Sequence, residues 1–131
     1  SENTTLEEAQ PAGQELRLAG ACSEHAGLNN ASFVLQGQTY SGAPFYKAST
    51  PGQDMYLYFD PACNGDANAT ARWILDDQAP STLAESDLDG DGGCNYFARA
   101  DSRDAARPPD SAVWRMTCGP GVWQDVPLRL Q

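Results

Sequence analysis

This sequence has almost no lysine, almost no histidine and no helical periodicity. Among its 131 residues there is one Lys and one His. Eighteen Asp and Glu against eight Lys and Arg leave a net charge of −10. Such a surface repels nucleic acid and anionic lipid headgroups, so no nucleic-acid partner and no membrane insertion are expected. No apolar run approaches the ~20 residues of a membrane-spanning helix. No C-x-x-C pair points to zinc or to a redox motif. The lone His25 lies in the polar stretch SEHAGLNN and reads as an exposed loop residue, whereas a Ser/His/Asp arrangement needs a positioned base. Paired carboxylates for sugar hydrolysis would need a deep cleft, and Asp76-Asp77 and residues 87–91 read as solvent-facing. A protein without catalytic residues or a required cofactor is therefore expected. There is no signal-peptide pattern; the chain starts at a polar Ser1 without an initiator Met, which reads as a form already processed.

Two features that are present point outside the cell. Cys22, Cys63, Cys94 and Cys118 are even in number and widely spaced, as in a disulfide framework of an oxidising compartment. Three pairings are open; the nested one, Cys22–Cys118 with Cys63–Cys94, is preferred. Asn3, Asn30 and Asn68 each begin an N-x-S/T sequon, where chance would give roughly 0.7 matches. Together they predict a secreted, N-glycosylated protein at the cell surface or beyond.

The hydrophobic fraction of 40% and aromatic fraction of 9% are enough for one core. Residues 1–14 are polar, with Pro11 and Gly13 ending any turn that starts there; they read as an extended N-terminal arm. From residue 15 onward the pattern is of short strands: ELRLAG, SFVLQGQTY, PFYKAS, DMYLYFD, ARWILD, NYFARA, AVWRMTC and DVPLRL. Met55, Leu57 and Phe59 share one face, with Tyr56 and Tyr58 on the other. About eight such strands predict a single all-β antiparallel sandwich or small barrel over residues 15–131, stapled by disulfides. Residues 77–93 are poor in apolar residues and long for a hairpin loop.

Several elements come in a recognisable order: Asn30-x-x-Phe33, Gly37, Gly42-x-Pro44-x-Tyr46-Lys47, Tyr56-Leu57-Tyr58-Phe59, Trp73-Ile74, Tyr96-x-Ala98, Pro108-Pro109, Trp114 and Gly121-x-Trp123. Over residues 16–130 the chain thereby resembles a small Gly/Trp-patterned β-module of secreted proteins in algae and other protists. The usual pattern there runs N-G-x-Y, G-x-P-x-Y, W-x-I, P-P, W and a final W. Here Ala31 stands where Gly is usual, and the cysteines and an acidic run are additions. The resemblance implies a secreted or surface module and transfers no catalytic residue.

The acidic run DLDGDGGCNYF places Asp87, Asp89 and Asp91 at alternate positions before Gly92. That is the first half of an EF-hand loop, and it offers Ca²⁺ three carboxylates, with the Gly93 carbonyl and Asn95 side chain beside them. Ala98 occupies the position of the bidentate Glu, and no helices flank the run, so it is no EF-hand. Any bound Ca²⁺ is expected to rigidify a surface loop, with Glu85 or Asp101 completing the shell. Tyr40, Tyr46, Tyr56, Tyr58, Tyr96, Trp73, Trp114 and Trp123 could stack on sugars, although most are expected in the core or in cross-strand pairs. Tyr56 and Tyr58 form the stripe singled out as a glycan or assembly surface.

The function expected first is structural: a subunit that self-associates into an extracellular fibre or coat. In that scheme the N-terminal arm adds a strand to a neighbour's open edge, formed by ELRLAG or PLRL. A glycan-binding or adhesion module, with Ca²⁺ as a support, is the alternative.

Overall fold

The computed structural model describes residues 15–50, 52–63, 65, 69–90 and 93–131. The expected arm, Asn3, Asn68, Asp91 and Gly92 lie outside the described residues. Each expected strand is present: β1 (Glu15–Ala19), β2 (Ser32–Gln38), β3 (Pro44–Thr50), β4 (Gln53–Asp60), β5 (Arg72–Asp76), β6 (Ala98–Asp101), β7 (Ser111–Thr117) and β8 (Trp123–Leu130). Each pairs antiparallel with the next, and β8 returns to β1 through Leu18↔Leu130 and Ala19↔Arg129. The result is a closed up-and-down barrel, the member of the two expected architectures that leaves no sheet edge. ELRLAG and PLRL therefore do not form open edges; they pair with each other.

The β1–β2, β3–β4, β5–β6 and β7–β8 connections leave and re-enter the sheet at one end, here the upper end. The β2–β3, β4–β5 and β6–β7 connections leave and re-enter the sheet at the lower end, where β1 starts and β8 finishes. Arg17 and Gln131 exchange backbone hydrogen bonds of 3.0 Å at that lower seam. Above it the chain turns away from β8 at Gly20, where φ is +92° and a Cβ would fall 2.5 Å from the Pro127 carbonyl oxygen. Only glycine tolerates both conditions.

Alternation fills the barrel. Leu16, Leu18, Phe33, Tyr46, Ala48, Met55, Leu57, Phe59, Trp73, Leu75, Trp114, Met116, Val126, Leu128 and Leu130 all belong to one buried cluster. The short β6 contributes only Ala98 and Ala100 to it, next to Leu75 and Trp73 on β5 and to Met116 on β7. Two alanines leave volume for the indoles of Trp73 and Trp114, the large-next-to-small arrangement of a packed small barrel. The Trp73 Nε1–H donates to the Asp104 carbonyl at 2.8 Å. The Trp114 Nε1 is buried and has no partner among the described residues.

Two disulfides, Cys22–Cys118 and Cys63–Cys94, realise the nested pairing and match an oxidising setting. The first ties two upper connections together. A 3-10 turn, Ser23–Leu28, is the helical element among the described residues. His25 sits on it, half-buried and tilted against Phe97 at 5.3 Å. It is thus less exposed than a polar loop position suggests, because residues 94–97 return beside it.

Candidate functional site

Residues 77–90 and 93–97 do not stand off in solvent. They run down the outside of β4 and β5 and bury Leu88 against Tyr58, Ile74 and Cys63 in a second small cluster. Phe45, Tyr56, Ala84, Cys94 and Tyr96 pack around it. An outward residue of a barrel strand is ordinarily wet; here an added layer dries it. Tyr58 is only 1% exposed, so it presents no ring to a sugar or a second chain, which corrects its placement on an open surface. Tyr56 is half-buried, with Lys47 Nζ 5.8 Å from its ring centre.

The layer is pinned by a buried carboxylate that ends β4. Asp60 Oδ2 accepts the Leu88 N–H at 2.8 Å, and Oδ1 accepts the Ala62 N–H at 3.1 Å. Burial raises the Asp60 pKa above its ordinary value. Backbone N–H groups of Leu88, Ala62 and Asp87 oppose the rise, and the negative charge of Asp87 adds to it. The Cys63–Cys94 bond closes the same layer at its far side.

Where the layer turns back into β6 it delivers Tyr96 beside Trp123. The two rings meet edge to face at 5.3 Å and 68°, a favoured aromatic geometry. Trp123 opens β8 opposite Thr117. Val126, Leu128 and Leu130 point inward, so residue 123 falls on the outer phase and is 40% exposed. Arg99 Nε donates to the Tyr96 hydroxyl at 3.2 Å and its Nη1 to Asp101 at 3.0 Å. Arg72 reaches the same Asp101 oxygen at 3.0 Å. Burial weakens the Arg99 charge, but the Tyr96 hydrogen bond and Asp101 outweigh it and its pKa is raised. Next to Arg99, Arg115 pairs with Asp125 at 3.2 Å. The outer face of β6 to β8 thus presents one exposed indole flanked by guanidinium–carboxylate pairs. Such a face can stack on an apolar ring surface while donating to and accepting from neighbouring hydroxyls.

The other expected site residues are spread over the molecule. Asn30 is exposed on a left-handed turn (φ +70°) at the upper end, where it is open to modification. Asp87 and Asp89 are half-buried in the outer layer, Asp87 in a left-handed conformation, and both have interactions of their own, as do Gly93 and Asn95. Among the described residues no three His, Cys, Asp or Glu side chains converge as metal ligands, and Asp91 is not among those residues. Sequence reasoning overlooked Asp60, whose burial comes from contacts 28 residues away. Trp123 was named within a group of aromatics and in the Gly121-x-Trp123 element, but not as a site residue. Its phase relative to Val126, Leu128 and Leu130 could have marked it as outward. Comparison of the chain with protein-family models, curated proteins and solved structures returns no match.

Proposed function

We propose that this is a non-catalytic extracellular glycoprotein module that binds carbohydrate on the outer face of β6 to β8. The observation that carries the reading is the exposed Trp123, propped by Tyr96 and bordered by Arg99–Asp101 and Arg115–Asp125. An indole held at a fixed tilt loses little entropy on stacking against the C–H face of a pyranose. The guanidinium–carboxylate pairs next to it offer donors and acceptors to vicinal hydroxyls. The disulfides and the three sequons support secretion. A filled barrel interior supports an outer site over a central one.

The test is a glycan array followed by titration of hits, read by tryptophan emission. Trp123→Ala should weaken binding about tenfold or more, while losing only the Tyr96 contact, about 0.5–1.5 kcal/mol, in stability. An array without hits, or a Trp123→Ala protein that binds as well as the parent, rejects the reading.

Self-association is the second reading, favoured by the exposed apolar pair Val113 and Pro127, directly opposite on β7 and β8. With β1 and β8 paired, it would run through outer faces and not through strand addition. Sedimentation velocity on the native protein tests it; a monomer at all concentrations refutes it.

A further inference from the structure

The lower mouth of the barrel carries chemistry that neither the core nor the outer face uses. A cavity of about 220 Å³ opens there, lined by Leu16, Tyr46, Arg107, Pro108, Asp110, Leu130 and Gln131. Its floor is the apolar end of the core. Tyr46 is inward-facing on β3 and only 3% exposed. Its hydroxyl has no hydrogen-bond partner among the described residues. Tyr46 lines the cavity, so its hydroxyl is a donor that a group entering there can use. Arg107 stands at the same mouth, exposed and in no ion pair among the described residues. It is one of only eight basic residues in a chain of net charge −10.

We propose that this mouth binds a small apolar monocarboxylate. Its carboxylate lies on the Arg107 guanidinium and the Tyr46 hydroxyl, and its hydrocarbon against Leu16, Pro108 and Leu130. Arg107 offers a planar fork suited to a carboxylate, and Tyr46 adds one donor at the cavity wall. Burial raises the pKa of that phenol, with the Arg107 charge acting in the other direction; the proton thus stays on the oxygen at neutral pH and is available to donate. The volume lies below the ~300 Å³ at which pockets for drug-sized ligands begin, so the ligand is small. Asp110 on the same rim and the overall negative charge disfavour a second anionic group. The proposal is independent of the carbohydrate reading, since the two sites lie on different faces.

Full-length protein is titrated with hexanoate and with phenylacetate, followed by NMR of the Leu16 and Leu130 methyl groups. 1-Hexanol and 2-phenylethanol serve as uncharged analogues of the same shape. Saturable shifts of both leucines are expected, with the alcohols about tenfold weaker or more. Arg107→Gln should weaken carboxylate binding about tenfold, and Arg107→Lys should restore part of it. Tyr46→Phe should cost severalfold while leaving the alcohols unaffected. Any of three results overturns the proposal: acids and alcohols bound alike, Arg107→Gln without effect, or no shift at Leu16 and Leu130 up to ~10 mM, where affinity would fall below about 3 kcal/mol.

Discussion

Replacing Asp60 by Asn tests whether the outer layer hangs on one buried anion. The substitution preserves shape but converts one acceptor into an amide donor, facing the N–H of Leu88 or of Ala62, now 2.8 and 3.1 Å from the carboxylate. One charge-assisted hydrogen bond is lost and one buried N–H is left unmet, about 1.5–3 and 1–3 kcal/mol respectively. Removing a buried charge offsets part of this, so a net loss of about 1–3 kcal/mol is expected at neutral pH. The pH dependence is the sharper part. The folded-state pKa of Asp60 is raised by burial. Between the unfolded value near 3.8 and the raised folded value, the folded protein therefore binds more protons than the unfolded chain. The contribution of Asp60 is then complete below 3.8 and is lost as pH rises through the folded pKa. The deficit of Asp60→Asn relative to the parent should be smallest at neutral pH and grow on acidification. Urea unfolding at a series of pH values, read by the buried tryptophans with disulfides intact, measures it. A deficit that shrinks as pH falls would falsify the argument, since that is the signature of a depressed carboxyl pKa. No deficit at any pH would show that the layer is held by other contacts.

The two core indoles should respond differently to the same truncation. Trp73→Phe removes a hydrogen bond to Asp104, whereas Trp114→Phe removes an N–H that has no partner among the described residues. Trp73→Phe should cost about 1–3 kcal/mol more, and equal losses in chemical denaturation would contradict the assignment. Opening Cys63–Cys94 with a double alanine substitution frees a loop with a sequence separation of 31, worth up to about 4 kcal/mol in chain entropy. Amide exchange should rise first around Leu88, and unchanged protection there would mean that the outer layer needs no staple. The run Asp87, Asp89, Asp91 is proposed as a structural Ca²⁺ loop: roughly millimolar Ca²⁺ should raise the melting temperature, and Asp89→Asn should abolish the rise. A flat calorimetric titration retires that idea.

Strand by strand, the fold was legible because side-chain period alone separates inside from outside. Met55, Leu57 and Phe59 declare the core face of β4, and Val126, Leu128 and Leu130 that of β8. The choice between sandwich and closed barrel was not legible, because it depends on whether β1 meets β8. That seam rests on two paired positions, the Arg17–Gln131 backbone hydrogen bonds and the turn at Gly20, and none has a local pattern. Residues 77–93 read as a long loop with a solvent-facing acidic run for a related reason. Their burial depends on Leu88, one apolar residue among acids, finding the outward side of Tyr58 and Ile74. Alternation assigns that side to water. The Tyr96–Trp123 contact joins residues 27 apart in sequence and was likewise invisible until β8 had been placed next to β7.

Closure of the barrel at its lower end, with Cys22–Cys118 locking the upper one, has a mechanical consequence. Tension applied at residues 15 and 131 loads β1 and β8 from the same end, so their hydrogen bonds open one after another and not all together. Peeling stops at the Cys22–Cys118 bond. Only residues 15–22 and 118–131 can be drawn out, roughly 70–80 Å of extended chain at ~3.3–3.6 Å per residue. Everything between the two cysteines, including the outer layer, Tyr96 and Arg99, is shielded from the load. The domain would then yield early and lengthen by a fixed amount, a shock absorber with a covalent stop.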